Sequence, residues 1–181
     1  PLFESSGFIT RFDMYIWKSV CKTLAAWRDK GCKLVPISIN VSMIDITNID
    51  VPQYLSMLTE QYHISPEYLP VEITESVFAE SNTIVKNTIT RFHKKGFYVL
   101  MDDFGSGYYS LNVLKDANVD YLKLDMKFMQ IDAKNKGKGI QILKSMNCNY
   151  GQGFYFHRPM SVEAAEELIQ TIPIENFRAA H

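Results

Sequence analysis

The sequence predicts an α/β fold built on a parallel sheet. Three observations carry that prediction: short apolar runs of strand length recur along the chain, helical patterns separate them, and Gly or Pro marks many of the joints. Such alternation implies βαβ units with right-handed crossovers, which a (β/α) barrel and an open doubly wound sheet both satisfy. In chain order, Thr10 can cap a helix whose apolar face carries Ile16, Val20, Leu24 and Trp27 and which ends near Gly31. Val35, Ile37, Ile39 and Val41 then alternate with Ser38, Asn40 and Ser42, as in a strand. Pro52 stands where a helix can start, with Leu55, Leu58 and Tyr62 on one side. Leu69 to Thr74 reads as the next strand, and Ser81 can cap a helix bearing Ile84, Val85, Ile89 and Phe92 that stops at Gly96. A strand from Phe97 into Asp102 follows, then a short helix from Tyr109 to Leu114 and a strand from Val119 to Asp125. Gly153 to Phe156 resembles a further strand, and Ser161 caps a last helix with Val162, Ala165, Leu168 and Ile169 inward. Between Met126 and Gln152 the rhythm breaks, and Lys134 to Gly139 is too polar for a core element.

The bulk composition narrows the function classes. With 181 residues, 46% hydrophobic, 22% charged and a net charge of −1, the chain reads as one soluble domain over residues 1–181. No stretch approaches the roughly 18 apolar residues of a membrane span, and no signal peptide opens the chain. The 19 basic and 20 acidic residues are dispersed, so no tract suits a nucleic-acid polymer. Cys21, Cys32 and Cys148 are widely spaced and fit buried thiols of a reducing compartment, which points to the cytoplasm.

The chemistry gathers at the predicted strand ends. Four successive strands finish in Asn40, in Glu72, in the Asp102/Asp103 pair, and in Lys123 with Asp125. In parallel α/β architectures the carboxyl ends of the strands share one rim, where active sites form. Adjacent carboxylates repel, so the Asp102/Asp103 pair asks for a cation or a donor network; a helix cap with a glycine-rich turn is the plainer alternative. Hard oxygen donors without a histidine cluster favour magnesium or manganese over zinc. Metal-assisted attack on a phosphate ester is the reaction class this chemistry reaches. His63, His93 and His157 are not at ligand spacing and read as surface or supporting residues. Asp45 and Asp50 fall in a loop and are expected to be solvated.

The same residues resemble the EAL-domain family, bacterial phosphodiesterases of cyclic di-GMP. The resemblance rests on Asn40-Val41-Ser42, Glu72-Ile73-Thr74-Glu75, Asp102-Asp103-Phe104-Gly105-Ser106-Gly107-Tyr108, Lys123-Leu124-Asp125, and Gln152-Gly153 followed by Pro159, in family order over nearly the whole chain. It implies a modified TIM (β/α) barrel that hydrolyses cyclic di-GMP to linear pGpG in bacterial second-messenger signalling, using two Mg²⁺ or Mn²⁺ ions. By the resemblance, Asn40, Glu72 and Asp102 ligate one metal and Asp103 the other. Lys123 contacts the nucleophilic water with Asp125 nearby, Glu75 braces the loop from Phe104 to Tyr108, and Gln152 lines the substrate site. It further implies a homodimer formed through the loop and helix after the double aspartate, where Tyr109 replaces a usual serine. GGDEF or sensory domains, and tethering to the inner membrane by upstream segments, are expected only elsewhere in the full-length protein. Two family elements are missing from this sequence: the strand with the Glu-Ala-Leu signature and the Glu-x-x-Glu strand. The barrel is therefore expected to be incomplete, with missing segments before residue 1 and near residues 137–139. Omitted residues, an engineered fragment and a degenerate, inactive domain acting as a cyclic di-GMP receptor or protein-interaction module are the three explanations.

Overall fold

The computed structural model describes residues 7–80, 82–104, 118–124 and 158–171. Two compact units, residues 1–128 and 129–181, are each described by themselves. Among the described residues of the first unit, four strands form one parallel sheet in the order β1 (Ile39–Asn40), β2 (Val71–Thr74), β3 (Val99–Phe104) and β4 (Tyr121–Leu124). Helices intervene: α1 (Phe8–Asp29) precedes the sheet, α2 (Met43–Asn48) and α3 (Val51–Tyr62) link β1 to β2, and α4 (Glu75–Glu80) and α5 (Asn82–Lys94) link β2 to β3. Parallel pairing demands such crossovers, because a hairpin cannot return a strand in the same direction. In the second unit α6 (Val162–Thr171) begins as expected, with Ser161 Oγ accepting the Ala164 N–H at 3.3 Å, but Val162, expected inward, is 49% exposed and Ile169 is the buried residue. The expected helix 109–114 and strand 153–156, the join near 137–139, Ser81, Cys148 and His157 lie outside the described residues.

Alternation assigns each strand residue to a side. Ile39, Val71, Ile73, Val99, Met101 and Phe104 occupy the apolar face and are all at most 4% exposed. The short β1 is longer in hydrogen bonding than its two residues imply: the N–H groups of Ile37, Ile39 and Val41 donate to the carbonyls of Tyr68, Pro70 and Glu72. The chain stops and turns where its chemistry allows. Gly31 and Gly96 adopt φ of 72° and 83° just past the ends of α1 and α5, a conformation that costs a side-chain-bearing residue about 1 kcal/mol or more. Arg28 of α1 donates to the Tyr62 and His63 carbonyls at 2.6 and 2.7 Å, meeting acceptors that the end of α3 leaves open.

Three sequence expectations are corrected here. Thr10 does not cap α1; Gly7 does, in a left-handed conformation, and Thr10 is buried in the first turn, where its Oγ1 accepts from Asn48. The buried stripe of α1 is Thr10, Trp17, Cys21, Leu24 and Trp27, not one through Ile16, which is 38% exposed. The helix carries two apolar stripes, and the one with both tryptophans faces inward while Phe8, Phe12 and Tyr15 remain exposed. Asp45 is not solvated but fully buried: its Oδ2 accepts from the Ser42 N–H at 2.9 Å and Ser42 Oγ at 2.6 Å, closing a capping box on α2. Asp50 caps α3 and pairs with Arg91, which holds its carboxyl below the usual range. Cys21 and Cys32 are free thiols, and burial pushes Cys21 up to about 11.

Burial of Asp45 leaves its Oδ1 without a donor among the described residues. Asp13 of α1 faces it, and burial, repulsion from Asp45 and a hydrogen bond to Asp45 together raise Asp13 to about 6. A proton on Asp13 supplies the donor that Asp45 lacks. Because the folded value lies above the ordinary 3.8, the contribution is complete below about pH 4 and is lost as pH rises through about 6. Asp13→Asn is expected to remove that decline and to be more stable than wild type at pH 7.5. Thermal melts at pH 5 and 7.5 check it, and equal pH dependence in both proteins would contradict the pairing.

Candidate active site

The polar face of the sheet is built by the same alternation. Asn40 is in register with Glu72, Glu72 with Leu100, Thr74 with Asp102, and Leu100 with Tyr121. Registered neighbours project to the same side, and residues two apart along a strand do too. Asn40, Glu72, Asp102 and Lys123, from four different strands, therefore share one face.

A β-bulge sets the double aspartate apart from a flat strand. Met101 pairs with Leu122 and Phe104 with Leu124, so Asp102 and Asp103 together stand opposite the single residue Lys123. Asp103 takes φ of 56°, in the left-handed region that Asp tolerates better than most residues. The physical reason lies in the alternation. Without the extra residue, Asp103 would fall on the apolar face beside Met101, where an unpaired carboxylate is costly. With it, Asp103 is exposed, Phe104 takes the apolar position at 4% exposure, and Asp102 stays on the polar face.

Lys123 Nζ lies 2.7 Å from Glu72 Oε2 and 3.1 Å from Asp102 Oδ2. Glu72 is only 6% exposed. Burial opposes the charge on Lys123, but its hydrogen bonds to Glu72 and Asp102 and their negative charge outweigh that, so its basicity is raised and it is an ammonium at neutral pH. The remaining oxygen of Asp102, Oδ1, accepts the Asp103 N–H at 2.9 Å. Trp17 Nε1 donates to the Asn40 carbonyl at 3.0 Å, and with the Ser42–Asp45 capping box it holds the end of β1 between two fixed points. Glu75 is buried at the first turn of α4, immediately after β2. Asp125, Gln152 and the loop 105–108 that Glu75 is expected to brace lie outside the described residues.

The donor set can be tested against a divalent cation. Among the described residues no three His, Cys, Asp or Glu side chains stand close enough to enclose a metal. Two carboxylates do converge, and a positive charge, the Lys123 ammonium, already sits between them. With the Asn40 amide in register beside Glu72, this is a partial set of hard oxygen donors that fits Mg²⁺ or Mn²⁺ better than zinc. No helix of the described residues is long and apolar enough to cross a membrane.

The site and its scaffold define a class. The model of the EAL domain family matches residues 1–140, and the chain belongs to that family. Its curated relatives include the probable cyclic di-GMP phosphodiesterase PdeB of Escherichia coli, 27% identical over 90% of this chain and 36% of PdeB. Among solved structures, the EAL domain of Mycobacterium smegmatis DcpA is similar with a TM-score of 0.74 at 24% identity, covering 86% of this chain and 83% of that one. The PaMucR phosphodiesterase in complex with c-di-GMP is similar with a TM-score of 0.72 at 21% identity, covering 91% and 78%. The fold is accordingly that of the EAL domains, an α/β fold of TIM-barrel type. The chain spans about a quarter to a third of the length of the curated relatives it matches.

Substitutions at Asp103 and Lys123 probe the geometry. Asp103→Val should cost about 1–3 kcal/mol in urea unfolding, since a β-branched residue resists positive φ, whereas Asp103→Gly should cost far less. Lys123→Met should cost about 3 kcal/mol, the low end for breaking a buried pair because Lys123 is partly exposed, by leaving Glu72 without its cation. Adding Glu72→Gln should recover most of that loss in the same measurement. An unchanged unfolding midpoint in Lys123→Met would refute the coupling.

Proposed function

We propose that this chain is the EAL-type barrel of a metal-dependent phosphodiesterase that hydrolyses cyclic di-GMP to linear pGpG. The observation that carries the reading is the convergence of Glu72, Asp102 and Lys123 on one face of the sheet, in a member of a family whose relatives include proteins named as such phosphodiesterases. Residues 1–181 act as one domain in this reading.

Asn40, Glu72 and Asp102 would hold one Mg²⁺ or Mn²⁺ ion and Asp103 a second. What such ions supply when bound is polarisation of a phosphoryl oxygen and a more acidic water. The chain's own residues do the rest. Glu72 and Asp102 keep Lys123 protonated, so its ammonium can donate to the attacking water and offset negative charge developing on the phosphate. The bulge turns Asp103 away from the apolar face, which leaves its carboxylate free to face solvent and ligand. Glu75 braces the loop after β3, Asp125 supports Lys123, and Gln152 contacts the nucleotide. A homodimer through the segment after β3 belongs to the same reading.

The second reading is a receptor that binds cyclic di-GMP without cleaving it. It is favoured by one observation: only two carboxylates converge among the described residues. Turnover separates the two. The intact protein with Mg²⁺ or Mn²⁺ should convert cyclic di-GMP to pGpG, measured by chromatography, and Asp102→Ala should lower kcat by about 100-fold or more. Binding without any product in the intact protein favours the receptor, and full turnover in Asp102→Ala overturns the assigned roles.

A further inference from the structure

At the opposite end of β4 from Lys123 lies a second polar cluster that the reaction does not use. Asp120 Oδ2 accepts the Val99 N–H at 2.7 Å and lies 2.9 Å from His93 Nε2, while the Asp120 N–H donates to the Val99 carbonyl at 2.8 Å. Asn118 Nδ2 is 3.4 Å from His93 Nδ1. An amide donor at Nδ1 fits the tautomer with its proton on Nε2, so the imidazole donates to Asp120. One carboxylate thus ties the start of β4 to the start of β3 and to the end of α5.

The bulge makes that tie matter. Beyond Leu122, one residue of β4 serves two of β3, and a slide of β4 by one residue is the register that the fold has to exclude. A one-residue slip turns every β4 side chain to the other face. Lys123 would then leave Glu72 and Asp102 and point to the apolar side. The backbone ladder alone is a weak guard, because the register is irregular at Lys123 itself. Asp120 lies three residues earlier, where pairing is still regular, and its bond to the Val99 N–H exists in one register only.

We infer that Asp120, oriented by His93, is a positioning residue that locks the β3–β4 register and thereby holds Lys123 opposite the Asp102/Asp103 bulge. For turnover, this rests on the phosphodiesterase reading above; for the register, it does not.

The test uses the intact protein with Asp120→Ala and Asp120→Asn, whose amide oxygen can still accept from Val99 and His93. Interstrand NMR contacts between Tyr121 and Leu100 and between Leu122 and Met101 report the register. Asp120→Ala should weaken or shift those contacts and lower kcat by about tenfold or more with KM little changed. Asp120→Asn should keep both within about threefold. If Asp120→Ala does not fold, Asp120→Asn decides: register and kcat retained together support the inference. Register retained with kcat lost, in either variant, overturns it, as does a folded Asp120→Ala with wild-type register. A wild-type protein without turnover would sink the phosphodiesterase reading while the NMR contacts still judge the register lock.

Discussion

The extra residue in β3 is the constraint on which the site depends. Two acids in succession cannot both stay on the polar side of a flat strand, because alternation sends the second into the apolar face. The bulge resolves this by placing Asp103 in the left-handed region and restoring Phe104 to the core. It also fixes what faces what: two carboxylate residues opposite one lysine. Lys123 can then bridge Asp102 from its neighbouring strand and Glu72 from the strand beyond.

The supports of this arrangement come from residues far from it in sequence. Trp17 of α1 reaches the Asn40 carbonyl at the end of β1, and Ser42 with Asp45 closes the turn that follows. Asp45 is buried with one oxygen bonded, and burial together with repulsion from Asp45 raises the Asp13 carboxyl of α1 to about 6. Across the sheet, the Val99–Asp120–His93 cluster ties β4 to β3 and α5. A partly exposed ion pair such as Lys123 with Asp102 contributes little by itself. Its value to the site comes from Glu72, whose buried carboxylate makes the lysine costly to remove.

Much of this was legible in the sequence because it is local. The alternation of Ile37, Ile39 and Val41 and the glycine ends at Gly31 and Gly96 each reflect spacing or backbone sterics within a few residues, and Ser161 as a cap is equally local. The polar strand ends at Asn40, Glu72, Asp102 and Lys123 were likewise readable, and so was the family. The misses share a cause. Ile16 and Trp17 are neighbours on a helix with two apolar stripes, and periodicity cannot say which stripe meets the core. Asp45 falls in what reads as a loop after the Asn40 strand, and its burial in α2 emerges only in the folded chain. His93 pairs with Asp120 across 27 positions, a separation at which spacing carries no signal.

By itself, then, the sequence determined the α/β class, the family and the polar residues at the strand ends, since motif order and two-residue alternation are properties of the chain. The tertiary structure alone decided that Asp102 and Asp103 form a bulge, that Glu72 and Asp102 share Lys123, and that Asp120 secures the strand carrying it. Those are matters of register between strands. Register depends on hydrogen bonds and packing between segments that meet only when the chain has folded.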